Sequence, residues 1–163
     1  MTKVAERSID LVLTEDVTKL VCVSVEHKTI MTAHGKARKN RYGDIIAYCN
    51  HMHNHRKECI AGAIVIVNSS PLYENPDSFA RGIVRPKFKM EKVVADTIGI
   101  FGQIPLRELP EEPNDQPEAL GVNYDGAAPA ALVDYLPVEN QIRYEMFIRR
   151  ISRLYVERFS QQR

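Results

Sequence analysis

Asp10, Glu26 and Lys28 are the residues whose types and spacing bring chemistry to mind first. Glu26 and Lys28 sit in LVCVSVEHKTIM, residues 20–31, a segment that opens on Leu20, Val21, Cys22, Val23 and Val25. Such β-branched and apolar residues suit a pleated, half-buried strand. Side chains alternate along a strand, so Cys22, Ser24, Glu26 and Lys28 share one face and Val21, Val23 and Val25 the other. A carboxylate and an ammonium therefore stand side by side where a core strand ends. A buried charge is costly unless it is paired or binds something.

A second carboxylate approaches them. Residues 9–13, IDLVL, form a short apolar strand, and TEDVTK, 14–19, is polar and turn-like, so residues 9–28 are expected to form a β-hairpin. Asp10 lies on the face opposite Ile9 and Leu11, and the hairpin places it roughly across from residues 23–26. Two converging carboxylates repel unless a cation sits between them. Carboxylate oxygens suit a hard ion such as Mg²⁺, which takes one or two carboxylates, several waters and a substrate phosphate. The plainer expectation from Glu26-x-Lys28 alone is an ordinary ion pair where the strand leaves the core.

The elements that must position these residues follow in order. Residues 34–55 are expected to be helical, with Tyr42, Ile45, Ile46, Cys49 and Met52 as the apolar stripe. The run IAGAIVIVNSS, 60–70, describes a strand buried on both faces. A helix between two strands suits a parallel crossover. Residues 71–86 are expected to be mostly loop with one helical turn at 77–81, and 89–101 a helix. The Pro- and acid-rich stretch 105–126 is expected to be a long surface loop, and 138–160 a helix with Ile142, Met146, Phe147, Ile151, Leu154, Tyr155 and Phe159 on one stripe.

This order and these residues resemble the PD-(D/E)XK nuclease superfamily, with its restriction-endonuclease-like fold. The family's signature is an acid in one strand, then Glu or Asp, any residue, and Lys at the end of the next. Here these are Ser8-Ile9-Asp10 and Val25-Glu26-His27-Lys28, followed by a helix and a buried strand, so that the resemblance covers about residues 6–70. Ile9 stands where the signature usually has proline, and MTKVAER is too short for the family's first full helix. That helix is then absent or is supplied by residues 138–160.

The resemblance implies an α/β fold with a central mixed sheet flanked by helices, in a single domain spanning 1–163. It implies that Asp10 and Glu26, with the His27 backbone carbonyl, hold Mg²⁺ (Mn²⁺ as a substitute). Lys28 then orients or deprotonates the attacking water, and Glu6 is a remnant of an accessory acid from the first helix. The implied activity is phosphodiester hydrolysis by a metal-dependent endonuclease of restriction or defence type, acting on double-stranded DNA. The alternative is a catalytically silent nucleic-acid-binding or assembly subunit with the same fold.

Charge distribution fits a polyanionic partner locally. Net charge is only +1, but residues 19–57 hold eight lysines and arginines against two acids. Lys36, Lys39 and Asn40 fall on one side of the helix start, flanked by Arg38 and Arg41, where phosphate contacts are expected. A second basic group, Tyr73, Arg81, Arg85, Lys87 and Lys89, is expected to be a solvated loop. Cys49, His51, His53, His55 and Cys59 match no zinc spacing and are expected to be a helix C-terminus, where histidine is favourable. An odd count of three cysteines forms no disulfide framework, and no apolar run reaches the ~20 residues of a membrane span, so the expected location is cytoplasmic. Phe147, Ile148 and Val156 are apolar beyond what one stripe needs, and a homodimer through the C-terminal helix is expected.

Overall fold

The computed structural model describes residues 10–31, 34–68, 90–111, 114–125 and 140–160. Strands β1 (Leu11–Thr14) and β2 (Val21–Ile30) form the hairpin, antiparallel, with Leu11 opposite Val25 and Leu13 opposite Val23. The turn closes through Lys19 N–H to the Glu15 carbonyl and Glu15 N–H to the Leu20 carbonyl, both 3.0 Å. Lys19 pays for it with a left-handed φ of 58°, a conformation costly for a side chain with a Cβ.

Helix α1 (His34–His55) then crosses back, and β3 (Ile60–Asn68) pairs parallel to β2, from Val23 opposite Ile60 to Ile30 opposite Val67. Ile45, Tyr48, Cys49 and Met52 carry the buried side of α1, while Tyr42 is 40% exposed. Tyr48, not Tyr42, completes the stripe, because its hydroxyl donates to Ser24 Oγ at 2.6 Å on the neighbouring strand. Alternation along β3 sends Ala61, Ala63, Val65 and Val67 into the core under α1 and Ile60 and Ile64 into the opposite one. Both faces are covered, as the continuous apolar run predicts.

Helix α2 (Met90–Phe101) packs beside α1. Residues 119–125 correct the expectation of a surface loop over 105–126: they form β4 (Ala119–Asp125), parallel to β3, with Gly62 opposite Ala119 and Ile64 opposite Gly121. The sheet order is β1-β2-β3-β4, a mixed α/β arrangement. Helix α3 (Tyr144–Phe159) begins later than the expected 138, and Ile142 precedes it, its carbonyl accepting from Val122 N–H at 2.8 Å. α3 lies over β4, β3 and β2 on the second face, where Phe147 packs over Gly62 and Gly121. Phe147 is 2% exposed, so it belongs to this chain's own core and leaves only Ile148 and Val156 of the three for a partner. No described helix is long and apolar enough to cross a membrane. Glu6, the turn expected at 77–81 and the basic group from Tyr73 to Lys89 lie outside the described residues.

Candidate functional site

The hairpin register brings Asp10 to the end of β2. Leu11 stands opposite Val25, so the residue before Leu11 reaches the level of Glu26 and His27. There Asp10 Oδ2 accepts the His27 backbone N–H at 2.6 Å and lies 4.0 Å from His27 Nδ1. In an extended strand the N–H and C=O of one residue point to the same side. The His27 carbonyl therefore faces the same edge as the Asp10 carboxylate, which is half exposed there.

Glu26 is different in kind. It is 4% exposed, on the strand face that also carries Ser24 and meets α1. Its Oε1 takes a very short contact from Lys28 Nζ, whose side chain is 19% exposed. Its Oε2 is buried and has no hydrogen-bond partner among the described residues. A buried carboxylate oxygen without a partner costs about 1–3 kcal/mol or more, and native proteins leave few such groups without a ligand, ion or water. The ion pair accounts for one oxygen only.

This donor set suits a hard cation. Asp10, Glu26 and the His27 carbonyl are all oxygen donors, two of them charged, as Mg²⁺ or Mn²⁺ prefers. Among the described residues no three or more His, Cys, Asp and Glu side chains converge into a cage. Two carboxylates and a carbonyl are the sparser kind of site that relies on water and phosphate for its other positions.

The cations expected on α1 divide into two groups. Lys36, Lys39 and Asn40 are exposed at three- and four-residue spacing, on one side of the helix start. Arg41 ties that helix to the site: its Nε donates to the Thr29 carbonyl at 3.1 Å, one residue past Lys28, and its Nη1 pairs with Asp44 at 2.6 Å. Arg38 does not join the exposed group. It is 6% exposed and turned to α2, where Nη2 pairs with Asp96 at 2.9 Å, while Nε and Nη1 have no partner among the described residues.

Sequence reasoning misses Glu118, whose carboxylate meets four hydrogen-bonding groups. It is fully buried at the entry to β4. Oε1 accepts from Arg107 Nη1 and Arg158 Nη1, each at 3.1 Å, and Oε2 meets Ala61 N–H and His53 Nε2, each at 2.9 Å. His53 Nδ1 lies 2.6 Å from the Asn114 carbonyl. Both ring nitrogens thus face oxygen atoms, which fixes the plane of the ring. His53 is a structural group here, and the buried Cys49 and Cys59 accompany it on the core side while His51 and His55 are exposed. Burial pushes the Cys59 thiol up to about 11 and drives the Cys49 thiol and Tyr48 hydroxyl upward as well.

No protein-family model, curated protein or solved structure matches the chain.

Proposed function

We propose that the chain is a metal-dependent nuclease with a restriction-endonuclease-like core, hydrolysing phosphodiester bonds in DNA. The observation that carries this reading is the orphaned, buried Oε2 of Glu26, at the strand end where Lys28 pairs with Oε1 and Asp10 holds the His27 main chain. Asp10, Glu26 and the His27 carbonyl would hold Mg²⁺ or Mn²⁺. When bound, the ion supplies Lewis acidity and a nucleophilic water near neutral pH.

The chain's own residues do the rest. In phosphodiester hydrolysis a water oxygen bonds to phosphorus, the ester P–O bond breaks, and the water's proton must leave while the departing oxygen is neutralised. Lys28 is placed for the electrostatic part, its ammonium beside Glu26 and partly open to solvent. It orients the water and stabilises charge growing on the phosphoryl oxygens. Lys36, Lys39 and Asn40 offer contacts to flanking phosphates, which hold the backbone without reading sequence. Arg41 keeps that helix against the strand end.

The silent-subunit reading keeps one observation in its favour. Each acid already has a protein partner, Asp10 the His27 N–H and Glu26 the Lys28 ammonium. Metal-dependent thermal stability separates the two. At ten times Kd a ligand adds about 1.4 kcal/mol, worth a rise of about 3–6 °C for a domain of this size. The nuclease reading expects that rise with Mg²⁺ or Mn²⁺ and its loss in Glu26→Gln. A melting temperature unmoved by either ion at tens-of-millimolar excess rejects it.

A further inference from the structure

The described elements cover only part of the sheet face opposite α1 and α2. α3 lies over β4, β3 and β2. Beyond it, Leu11 and Leu13 share the face of their register partners Val25 and Val23, yet they are 59% and 47% exposed. Between this strand and the helix runs an apolar groove of about 490 Å³, lined by Leu11, Leu13, Val23, Ile151, Tyr155 and Val156. β1 also forms one edge of the described sheet, and an exposed apolar edge strand invites pairing.

α3 carries a second stripe along the rim of this groove. Tyr144, Ile148, Ser152 and Val156 recur every four residues, apart from the buried positions Phe147 and Leu154. Ile148 and Val156 are 45% and 55% exposed. Their spacing is symmetric, each four residues from Ser152, which is small and exposed.

From this arrangement we propose that the face binds a second copy of the chain. The two α3 helices pack antiparallel across a two-fold axis at Ser152, and the bordering grooves close against each other. An antiparallel pair centred there sets Ile148 against Val156 of the partner subunit, and the reverse, so one patch complements itself as a two-fold interface must. A small residue at the axis lets the helices approach to the usual 8–10 Å. The exposed shares of Leu11, Leu13, Tyr144, Ile148 and Val156 amount to roughly 500 Å² per copy, or about 1,000 Å² for the pair, which is the least that a specific interface buries. As an apolar patch it lies in the upper part of the range of about 300–600 Å² for the largest patch on a monomer. The proposal does not depend on metal binding and holds equally for a silent subunit.

The test combines mass and cross-linking on the full chain. Light scattering should give a dimer at high micromolar concentration. Ile148→Glu and Val156→Glu should each halve that mass while leaving the far-ultraviolet circular dichroism unchanged. Ser152→Cys should form a disulfide-linked dimer under mild oxidation, because the three native cysteines are buried and contribute no background. Glu157→Cys, about 140° around the helix from Ser152, should not. A monomer at that concentration overturns the proposal and assigns the groove to another occupant. So does a dimer that survives Ile148→Glu, or cross-linking as efficient at Glu157→Cys as at Ser152→Cys.

Discussion

Replacing Glu118 by glutamine should be among the most damaging single substitutions that leave side-chain volume unchanged. The carboxylate receives donors from four parts of the chain: Arg107, Arg158 on α3, His53 on α1 and the Ala61 N–H on β3. In Glu118→Gln one of the two acceptor positions becomes an NH₂ group. Whichever way the amide turns, that NH₂ faces donors, either the two guanidiniums or His53 and Ala61. The Arg107 side chain is 2% exposed and Arg158 8%, so neither cation can turn to water without moving the backbone around it. Removing one partner of a buried pair costs about 3–5 kcal/mol, a large share of the roughly 5–15 kcal/mol that holds a domain folded. Taking about 4 kcal/mol, the melting temperature should fall by about 8–16 °C. In urea the midpoint should fall by about 2 M, for a slope near 2 kcal/mol/M. Urea unfolding followed by circular dichroism measures this. A loss below about 1 kcal/mol, the range of exposed ion pairs, would refute the idea that this group ties the two layers together. Arg107→Met should also cost less in the Glu118→Gln background than alone, since the carboxylate charge that Arg107 faces is already gone.

Two further predictions address packing and pH. A Cβ on Gly62 would meet Ile151 Cδ1 at 3.0 Å and Phe147 Cε2 at 3.1 Å; Gly62→Val should therefore cost about 1–3 kcal/mol by overpacking, and an unchanged urea midpoint would show that α3 shifts freely. Burial raises the Cys59 thiol from 9.0 to about 11, so the folded state keeps a proton that the unfolded state releases. That contribution is complete below pH 9 and is lost as pH rises towards 11, by about 3 kcal/mol. Tyr48 and Cys49 act in the same direction. Melting temperatures should decline over that window and decline less in Cys59→Ala; parallel curves for the two proteins would contradict the assignment.

The hairpin, α1, β3 and α2 were legible in sequence because each is coded locally, by alternation, by a helical stripe or by a continuous apolar run. Asp10 was placed near Glu26 because a short turn leaves the register little freedom, and the pairing of Leu11 with Val25 agrees with that placement. The Asp10 bond to the His27 main chain was not legible, since it depends on a side-chain rotamer. β4 escaped notice because ALGVNYD carries glycine, asparagine and aspartate, all poor strand formers, and follows a proline- and acid-rich stretch. Its burial comes from Phe147 and from β3, partners distant in sequence. For the same reason Arg38 is expected among the phosphate contacts and Glu118 in a surface loop, rather than buried in ion pairs. Asp96 is 58 residues from Arg38, and His53 is 65 from Glu118. Phe147 was assigned to a partner because nothing local announces the space that Gly62 and Gly121 leave for its ring.

We propose that Asp10, Glu26 and Lys28 form a metal-dependent phosphodiester-cleaving site. The most direct measurement is incubation of supercoiled plasmid with the purified chain in Mg²⁺ or Mn²⁺, with EDTA as control and with Asp10→Asn and Glu26→Gln alongside. Conversion to nicked or linear DNA is expected with the unmodified chain, none in EDTA, and background conversion with either variant although both remain folded. Plasmid left supercoiled in both metals, or cut equally by Glu26→Gln, would contradict it.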